Sequence, residues 1–138
     1  MLSSLANHSH FVYTIPDLFL SVKRSTLILK PMGATIGELE GRLDFEDDLS
    51  LRVYEVINFA AATLTYYSYT VYRGDEKLYW YDPQPHPDNL TLSDTHPHHK
   101  HVPPDIKHNR VPAPGLTFDQ PNLPFLIREI KEILLRLA

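Results

Sequence analysis

The stretch Gly37-Glu-Leu-Glu-Gly-Arg-Leu-Asp-Phe45 decides the fold, because small or apolar residues alternate with charged ones along its whole length. Strict alternation of this kind predicts a β-strand with one buried face. The acidic turn Glu46-Asp-Asp48 follows, and the alternation then resumes from Leu49 to Phe59. The two segments together predict a β-hairpin whose apolar residues share one face.

Further strands are predicted on both sides of this hairpin. Leu64–Tyr72 is rich in Tyr and Thr, residue types that favour strands, and a turn at 73–76 connects it to Lys77–Tyr81. A shorter candidate strand, Ser25–Leu29, precedes the hairpin. We therefore expect an α+β fold built on an antiparallel meander of four to five strands.

A helix is predicted at each end of the chain. Pro16 suits the first turn of a short helix over Asp17–Lys23, and residues 1–12 are expected to form an irregular arm with exposed His8 and His10. At the other end, apolar residues recur every three or four positions over 122–138. This periodicity predicts a C-terminal helix that packs on one face of the sheet, with Asn122 as its cap.

Length and composition limit the classes of protein that this chain can represent. The 138 residues, 43% of them hydrophobic, are enough for one α+β domain over 1–138 with its own core, and cysteine is absent. No apolar run approaches the roughly 20 residues that cross a bilayer, so we expect a cytoplasmic protein without a membrane partner. The net charge of −4 argues against a broadly basic nucleic-acid-binding surface.

Proline and histidine are concentrated in one segment. Ten of the twelve prolines lie between Pro83 and Pro124, so residues 82–121 are predicted to form a long functional loop without regular helix or sheet. Six of the eight histidines also lie there, most densely in His96-Pro-His-His-Lys-His101. Residues two apart share a side in extended chain, and residues three apart align in polyproline geometry, so imidazoles converge in either case.

Three interpretations of this histidine cluster remain open. Paired imidazoles beside a lysine can perform acid–base catalysis at a phosphodiester. The spacing also suits a zinc, copper or nickel site with further carboxylate ligands, the candidates being His96, His98, His99, His101, Asp94, Asp105 and Glu55. In the third interpretation the histidines only cap loop carbonyls and stack on aromatic rings.

Strand 49–59 adds candidates outside the cluster. Glu55 shares the parity of the apolar residues, which predicts a buried carboxylate that needs a partner, and a histidine of the loop is one candidate. Arg52 and Tyr54 project from the opposite face, where they are candidate substrate contacts. Two basic residues that follow the histidine run, Lys107 and Arg110, are candidate phosphate contacts.

The histidine run also carries a family resemblance. The chain from about Gly37 onward resembles the TumE family of toxin–antitoxin proteins, whereas residues 1–36 match it less well. The resemblance rests on five segments: His96-Pro-His-His-Lys-His-Val-Pro103, Pro112-Ala-Pro-Gly-Leu-Thr-Phe-Asp-Gln-Pro-Asn-Leu-Pro-Phe-Leu126, Gly41-Arg-Leu-Asp-Phe-Glu-Asp47, Leu51-Arg-Val-Tyr-Glu55 and Tyr66-Tyr-Ser-Tyr69. It implies a small toxin that is neutralised by a protein antitoxin encoded beside it, and it does not settle the cellular target.

The residues and the resemblance together favour RNA cleavage without a metal or other cofactor. Many small toxins of such pairs are ribonucleases, and the cluster supplies the groups that such cleavage needs. His98 or His99 would be the general base and His101 the general acid. Lys100 and Arg110 would contact the phosphate, and Glu55 would orient a histidine or raise its pKa. The alternative is a metal-binding or non-catalytic interaction domain, and the sequence leaves homodimerisation open.

Overall fold

The computed structural model describes residues 2–83, 97–103 and 110–137. Within these residues the α+β class is confirmed, since two helices accompany one antiparallel sheet. The elements in chain order are α1 (Leu5–Leu18), β1 (Arg24–Ser25), β2 (Ile28–Pro31), β3 (Ile36–Asp44), β4 (Leu49–Asn58), β5 (Thr63–Arg73), β6 (Glu76–Asp82), β7 (His99–His101), β8 (Arg110–Pro112) and α2 (Leu123–Leu137).

The predicted meander forms the centre of the sheet. The strand order is β1-β3-β4-β5-β6-β7-β8, and β2 also pairs with β3. The β3–β4 hairpin runs in continuous register from the pair Ile36↔Asn58 to Asp44↔Ser50, as the alternation predicts. Its turn places Asp47 and Asp48 at φ 57° and 63°, in the left-handed region that Asp tolerates better than most residues.

The sheet has two different faces, which we call the core face and the open face. Both helices pack on the core face, whose central residues are fully buried, among them Leu51, Val53, Tyr67, Tyr69 and Val71. Side chains of alternate parity, such as those of Arg52 and Thr70, are exposed or half-buried on the open face. Successive residues of a strand therefore alternate between the two faces.

The N-terminal helix was predicted at the wrong position, over Asp17–Lys23 instead of Leu5–Leu18. Helix α1 begins after Ser4, whose hydroxyl accepts a hydrogen bond from the Asn7 amide at 3.2 Å, and Pro16 lies in the last turn instead of the first. Its buried stripe consists of His8, Phe11, Val12 and Ile15. Because one member of that stripe is a histidine and the segment is rich in polar residues, the helical period is weak in the sequence. His8 is 1% exposed, contrary to our expectation, whereas His10 is exposed.

The candidate strand Ser25–Leu29 is divided into β1 and β2, which both pair with β3. The chain between them approaches β3 closely at Gly41, which has φ 147°. A Cβ atom at this position would lie 2.5 Å from the Thr26 carbonyl oxygen. Glycine at 41 therefore permits the close approach that accommodates both short strands on one side of β3.

Residues 82–121 contain regular structure that was not expected. Strand β7 pairs with β6, and β8 pairs with β7, so part of the proline-rich segment extends the sheet. The proline content misleads because Pro97 and Pro103 flank β7 and Pro112 ends β8, without interrupting either strand. Proline is tolerated at such positions, since only the interior of a strand requires the missing N–H.

Helix α2 confirms the predicted C-terminal helix, with a different role for Asn122. The backbone carbonyl of Asn122 accepts from the Leu126 amide at 3.2 Å, but its side chain bonds Thr117 and the Tyr69 hydroxyl instead of capping the helix. Among the described residues, neither helix combines the length and apolar character that crossing a membrane requires.

Candidate functional site

Strand β7 brings part of the histidine run beside the end of β6. The register pairs Trp80 with His101 and Asp82 with His99. The side chains of these four residues lie on the open face, opposite the buried Tyr81 of β6. The predicted convergence of residues two apart is therefore realised at His99 and His101, because β7 is extended.

Asp82, His99 and His101 form a compact three-residue group, which we call the Asp82 cluster. Asp82 Oδ1 lies 2.7 Å from His99 Nε2, and Asp82 Oδ2 lies 3.3 Å from His101 Nε2. The two Nε2 atoms are 3.0 Å apart. The histidine side chains are 1% and 5% exposed and that of Asp82 is 17% exposed, so the cluster is nearly buried and reaches solvent through its carboxylate.

The contact at Nδ1 of His99 indicates which of its two ring nitrogens carries a hydrogen. His99 Nδ1 lies 3.2 Å from the Pro97 carbonyl, which can only accept, so Nδ1 carries a hydrogen. A neutral His99 would then point a lone pair from Nε2 at a carboxylate oxygen 2.7 Å away. The centre of the cluster, between two imidazole nitrogens and a carboxylate, therefore suits a hydrogen-bonded proton or a metal ion.

The ring of His101 is held by Trp80. The two rings stack with centroids 4.3 Å apart, and the Lys77 ammonium lies 4.6 Å from the Trp80 ring centroid. Burial lowers the pKa of His101, an effect that the Asp82 carboxylate opposes and that His99 and Arg110 reinforce. The ring is thus fixed in orientation and biased toward its neutral form.

Basic side chains lie in the same row of the open face as the cluster. The register aligns Arg52, Thr70, Trp80, His101 and Arg110 across five neighbouring strands. Arg110 Nε is buried and has no hydrogen-bond partner within residues 2–83, 97–103 and 110–137. An arginine donor that is not satisfied, next to the imidazole of His101, is suited to contact an anion.

The predicted contacts Arg52 and Tyr54 lie further along the sheet. Arg52 is exposed, directly opposite Arg42 in the register. The Tyr54 hydroxyl donates to Glu38 at 3.0 Å, and this bond is the main reason why the pKa of Tyr54 is raised. Tyr54 therefore already has a carboxylate partner, whereas Arg52 belongs to the row that leads to the cluster.

His98 and Lys100 lie on the core face, away from the Asp82 cluster. His98 Nδ1 is 2.5 Å from the Tyr67 hydroxyl, and its ring contacts Phe118 with centroids 4.6 Å apart. The Lys100 ammonium is 4.1 Å from the Tyr79 ring centroid and 3.6 Å from a carboxylate oxygen of Glu129 in α2. The structure therefore does not bring these two predicted site residues together with His99 and His101.

Glu55 is buried at 1% exposure, as predicted, but it meets none of the histidines in the described part of the run, 97–101. Its Oε2 accepts a hydrogen bond from the Tyr69 hydroxyl at 2.5 Å, and its Oε1 lies 3.9 Å from His8 Nε2. Burial and the Glu55 carboxylate both raise the pKa of Tyr69, so its hydroxyl stays a donor. The histidine nearest to Glu55 is thus His8 in α1. The carboxylate that contacts His99 and His101 is that of Asp82.

Asp82 is the site residue that sequence patterns did not identify. Trp80 and Asp82 continue the alternation of β6 on the face opposite Tyr79 and Tyr81, which marks them as residues of the open face. No local signal indicates that the chain returns to pair with them. Four other candidates, His96, Asp94, Asp105 and Lys107, lie outside the described residues.

Comparisons with known proteins agree with the resemblance and extend it. The family model described as "Toxin TumE" matches residues 17–134, so the match begins well before Gly37 and includes the end of α1. No curated protein and no solved structure matches the chain. Since the matched segment covers most of its length, the chain belongs to the TumE toxin family.

Proposed function

We propose that this toxin arrests growth by cleaving RNA in the cytoplasm and that the reaction takes place at the Asp82 cluster. The observation that carries the proposal is the convergence of two buried imidazoles on one carboxylate, next to Arg110. An imidazole pair with a nearby guanidinium supplies an acid, a base and a charge for the phosphate.

Each histidine has a different role in the proposed reaction. His101, as the neutral ring, takes the proton of the ribose 2′-hydroxyl through Nε2. The 2′-oxygen then bonds to phosphorus, and the bond from phosphorus to the 5′-oxygen breaks. That oxygen takes a proton from His99 Nε2, which lies 2.7 Å from Asp82 Oδ1. The products are a 2′,3′-cyclic phosphate and a 5′-hydroxyl.

The short distance between the imidazoles supports turnover by this pair. After one reaction His101 has gained a proton and His99 has lost one. Their Nε2 atoms are 3.0 Å apart, which is hydrogen-bond distance, so one proton transfer between them restores the starting state. Small ring movements are expected when a phosphate enters, since catalytic contacts commonly rearrange on substrate binding.

Contacts to the phosphate are assigned to the row of basic side chains on the open face. Arg110 would neutralise the charge that develops on phosphorus, since its Nε has donor capacity to spare. Arg52, in the same row, would contact a phosphate further along the RNA. Lys107 remains a candidate from the sequence, whereas Lys100, His98 and Glu55 have no part in the proposed reaction.

The antitoxin partner follows from the family, and we propose that it blocks access to the open face. RNA and the antitoxin would then compete for the same surface. Whether the free toxin forms a homodimer does not enter this mechanism.

The experiment uses the purified full chain, freed of antitoxin, with end-labelled RNA. We expect cleavage products that end in 2′,3′-cyclic phosphate, and no cleavage where a 2′-deoxy nucleotide replaces the reacting ribose. His99→Ala and His101→Ala should each reduce the rate by roughly 100-fold or more, the usual contribution of general acid–base catalysis. His10→Ala, an exposed histidine of α1, is the matched control. Intact RNA with folded wild-type chain, or full activity in both cluster variants, would refute the proposal.

A further inference from the structure

The Asp82 cluster has the composition of a transition-metal site. Two imidazole nitrogens and a carboxylate oxygen lie within 4.8 Å of one another. Nitrogen and carboxylate donors in a group of this kind bind zinc and its neighbours in the periodic table, whereas calcium and magnesium prefer oxygen donors alone.

We infer that the Asp82 cluster binds one divalent transition-metal ion of the zinc class, between the two Nε2 atoms and the Asp82 carboxylate. Zinc–ligand bonds of roughly 2.0–2.1 Å place neighbouring donors of a tetrahedral site about 3.3 Å apart. The two Nε2 atoms are 3.0 Å apart, and each faces a different carboxylate oxygen of Asp82, at 2.7 Å for His99 and 3.3 Å for His101. An ion therefore enters with small movements of the rings and the carboxylate.

The surroundings of His99 match those of a metal ligand. Its Nδ1–H is bound to the Pro97 carbonyl at 3.2 Å, which directs the Nε2 lone pair toward the centre. Histidine ligands of metals almost always donate their second nitrogen to a carbonyl or carboxylate in this way. The stack of Trp80 on His101 fixes the second ligand, and the partial exposure of Asp82 gives an ion a route from solvent.

The ion would regulate the toxin, a consequence that rests on the proposed function. A metal coordinated by both Nε2 atoms occupies the lone pair that accepts the 2′-hydroxyl proton and displaces the proton that His99 donates. Metal binding and acid–base cleavage then exclude each other. Zinc at saturating concentration should accordingly inhibit RNA cleavage, and a chelator should restore it.

The test measures binding directly on the purified full chain. Titration calorimetry with zinc, together with metal analysis after dialysis, should give one tightly bound equivalent for the wild type. His99→Ala should lose it, with an affinity loss larger than the roughly 10–100-fold that removal of an outer-shell partner causes. Asp82→Asn retains the shape of the side chain and should weaken binding without unfolding the site. His10→Ala serves as the control, and cobalt in place of zinc reports tetrahedral coordination through its visible absorption.

The outcomes separate this inference from the proposed function. If the wild type binds no zinc, or if folded His99→Ala binds it equally well, the metal site is refuted and RNA cleavage stands unaffected. If zinc binds through the cluster but no RNA is cleaved under any condition, the metal site is supported and the proposed function fails. If zinc binds and activates cleavage, the site is supported and its inhibitory role is refuted.

Discussion

Replacement of Tyr69 by phenylalanine tests whether Glu55 is a residue of the folded core. The Tyr69 hydroxyl is the hydrogen-bond donor to Glu55 Oε2, and it also accepts from the Asn122 side chain at 3.2 Å. Glu55 Oε1 has no hydrogen-bond partner among the described residues. Tyr69→Phe therefore leaves a carboxylate of 1% exposure without its donor.

The magnitude follows from these contacts. Loss of a hydrogen bond to a buried charged group costs about 3 kcal/mol. For 138 residues the entropy of unfolding is about 0.29 kcal/mol/K, so the melting temperature should fall by about 10 °C. Calorimetry of wild type and variant measures the shift, and Tyr66→Phe is the matched control because Tyr66 is 44% exposed on the same strand.

Two results would refute this reasoning. A fall of no more than about 2 °C, similar to that of Tyr66→Phe, would show that Glu55 finds another donor. An unchanged effect in the Glu55→Gln background would show that the carboxylate charge is not the cause of the loss. We also expect folded Tyr69→Phe to cleave RNA as the wild type does, because this network lies on the core face.

Three other variants test the two faces of the sheet and the close approach at Gly41. Trp80→Leu removes the ring stacked on His101 and should slow RNA cleavage by roughly 10- to 100-fold in a labelled-RNA assay, since a misoriented base is a poor catalyst; an unchanged rate would count against the positioning role. Lys100→Met removes the charge beside Glu129 and Tyr79 and should cost about 1 kcal/mol of stability in urea denaturation, with a smaller loss of cleavage than Arg110→Met; the reverse order would contradict the assignment of faces. Gly41→Ala should cost about 3 kcal/mol, and clearly more than Gly33→Ala, because both glycines have positive φ but only the Cβ at 41 meets the Thr26 carbonyl.

The central sheet was predictable because its signal is local. In β3 and β4 the polarity of most residues indicates the face on which they lie, and the acidic turn between them separates the two segments. The burial of Glu55 followed from its place in this alternation. A charged residue at a core-face position of a strand still points to the core face. The helical period of α2 was equally clear over Leu123–Leu137.

The candidate site was predictable only in part, because it depends on a contact between distant segments. Which residues of the run share a side followed from strand geometry, and His99 and His101 do converge. Their carboxylate could not be identified, because Asp82 meets them through the pairing of β7 with β6, which the local sequence does not encode. Likewise, α1 was misplaced because its buried stripe includes His8, whose partner Glu55 is far away in the chain.

The alternation within β7 explains why one histidine-rich run serves two purposes. His99 and His101 form the cluster on the open face, and His98 and Lys100 contact Tyr67 and Glu129 on the core face. A shift of the register by one residue would exchange the two sets and place Lys100 against Asp82. The core-face contacts oppose such a shift, since it would remove the stacked partner of Tyr67 and the cation beside Glu129. His98 and Lys100 are therefore best regarded as the residues that fix the register of β7, on which both the catalytic and the metal-binding proposals depend.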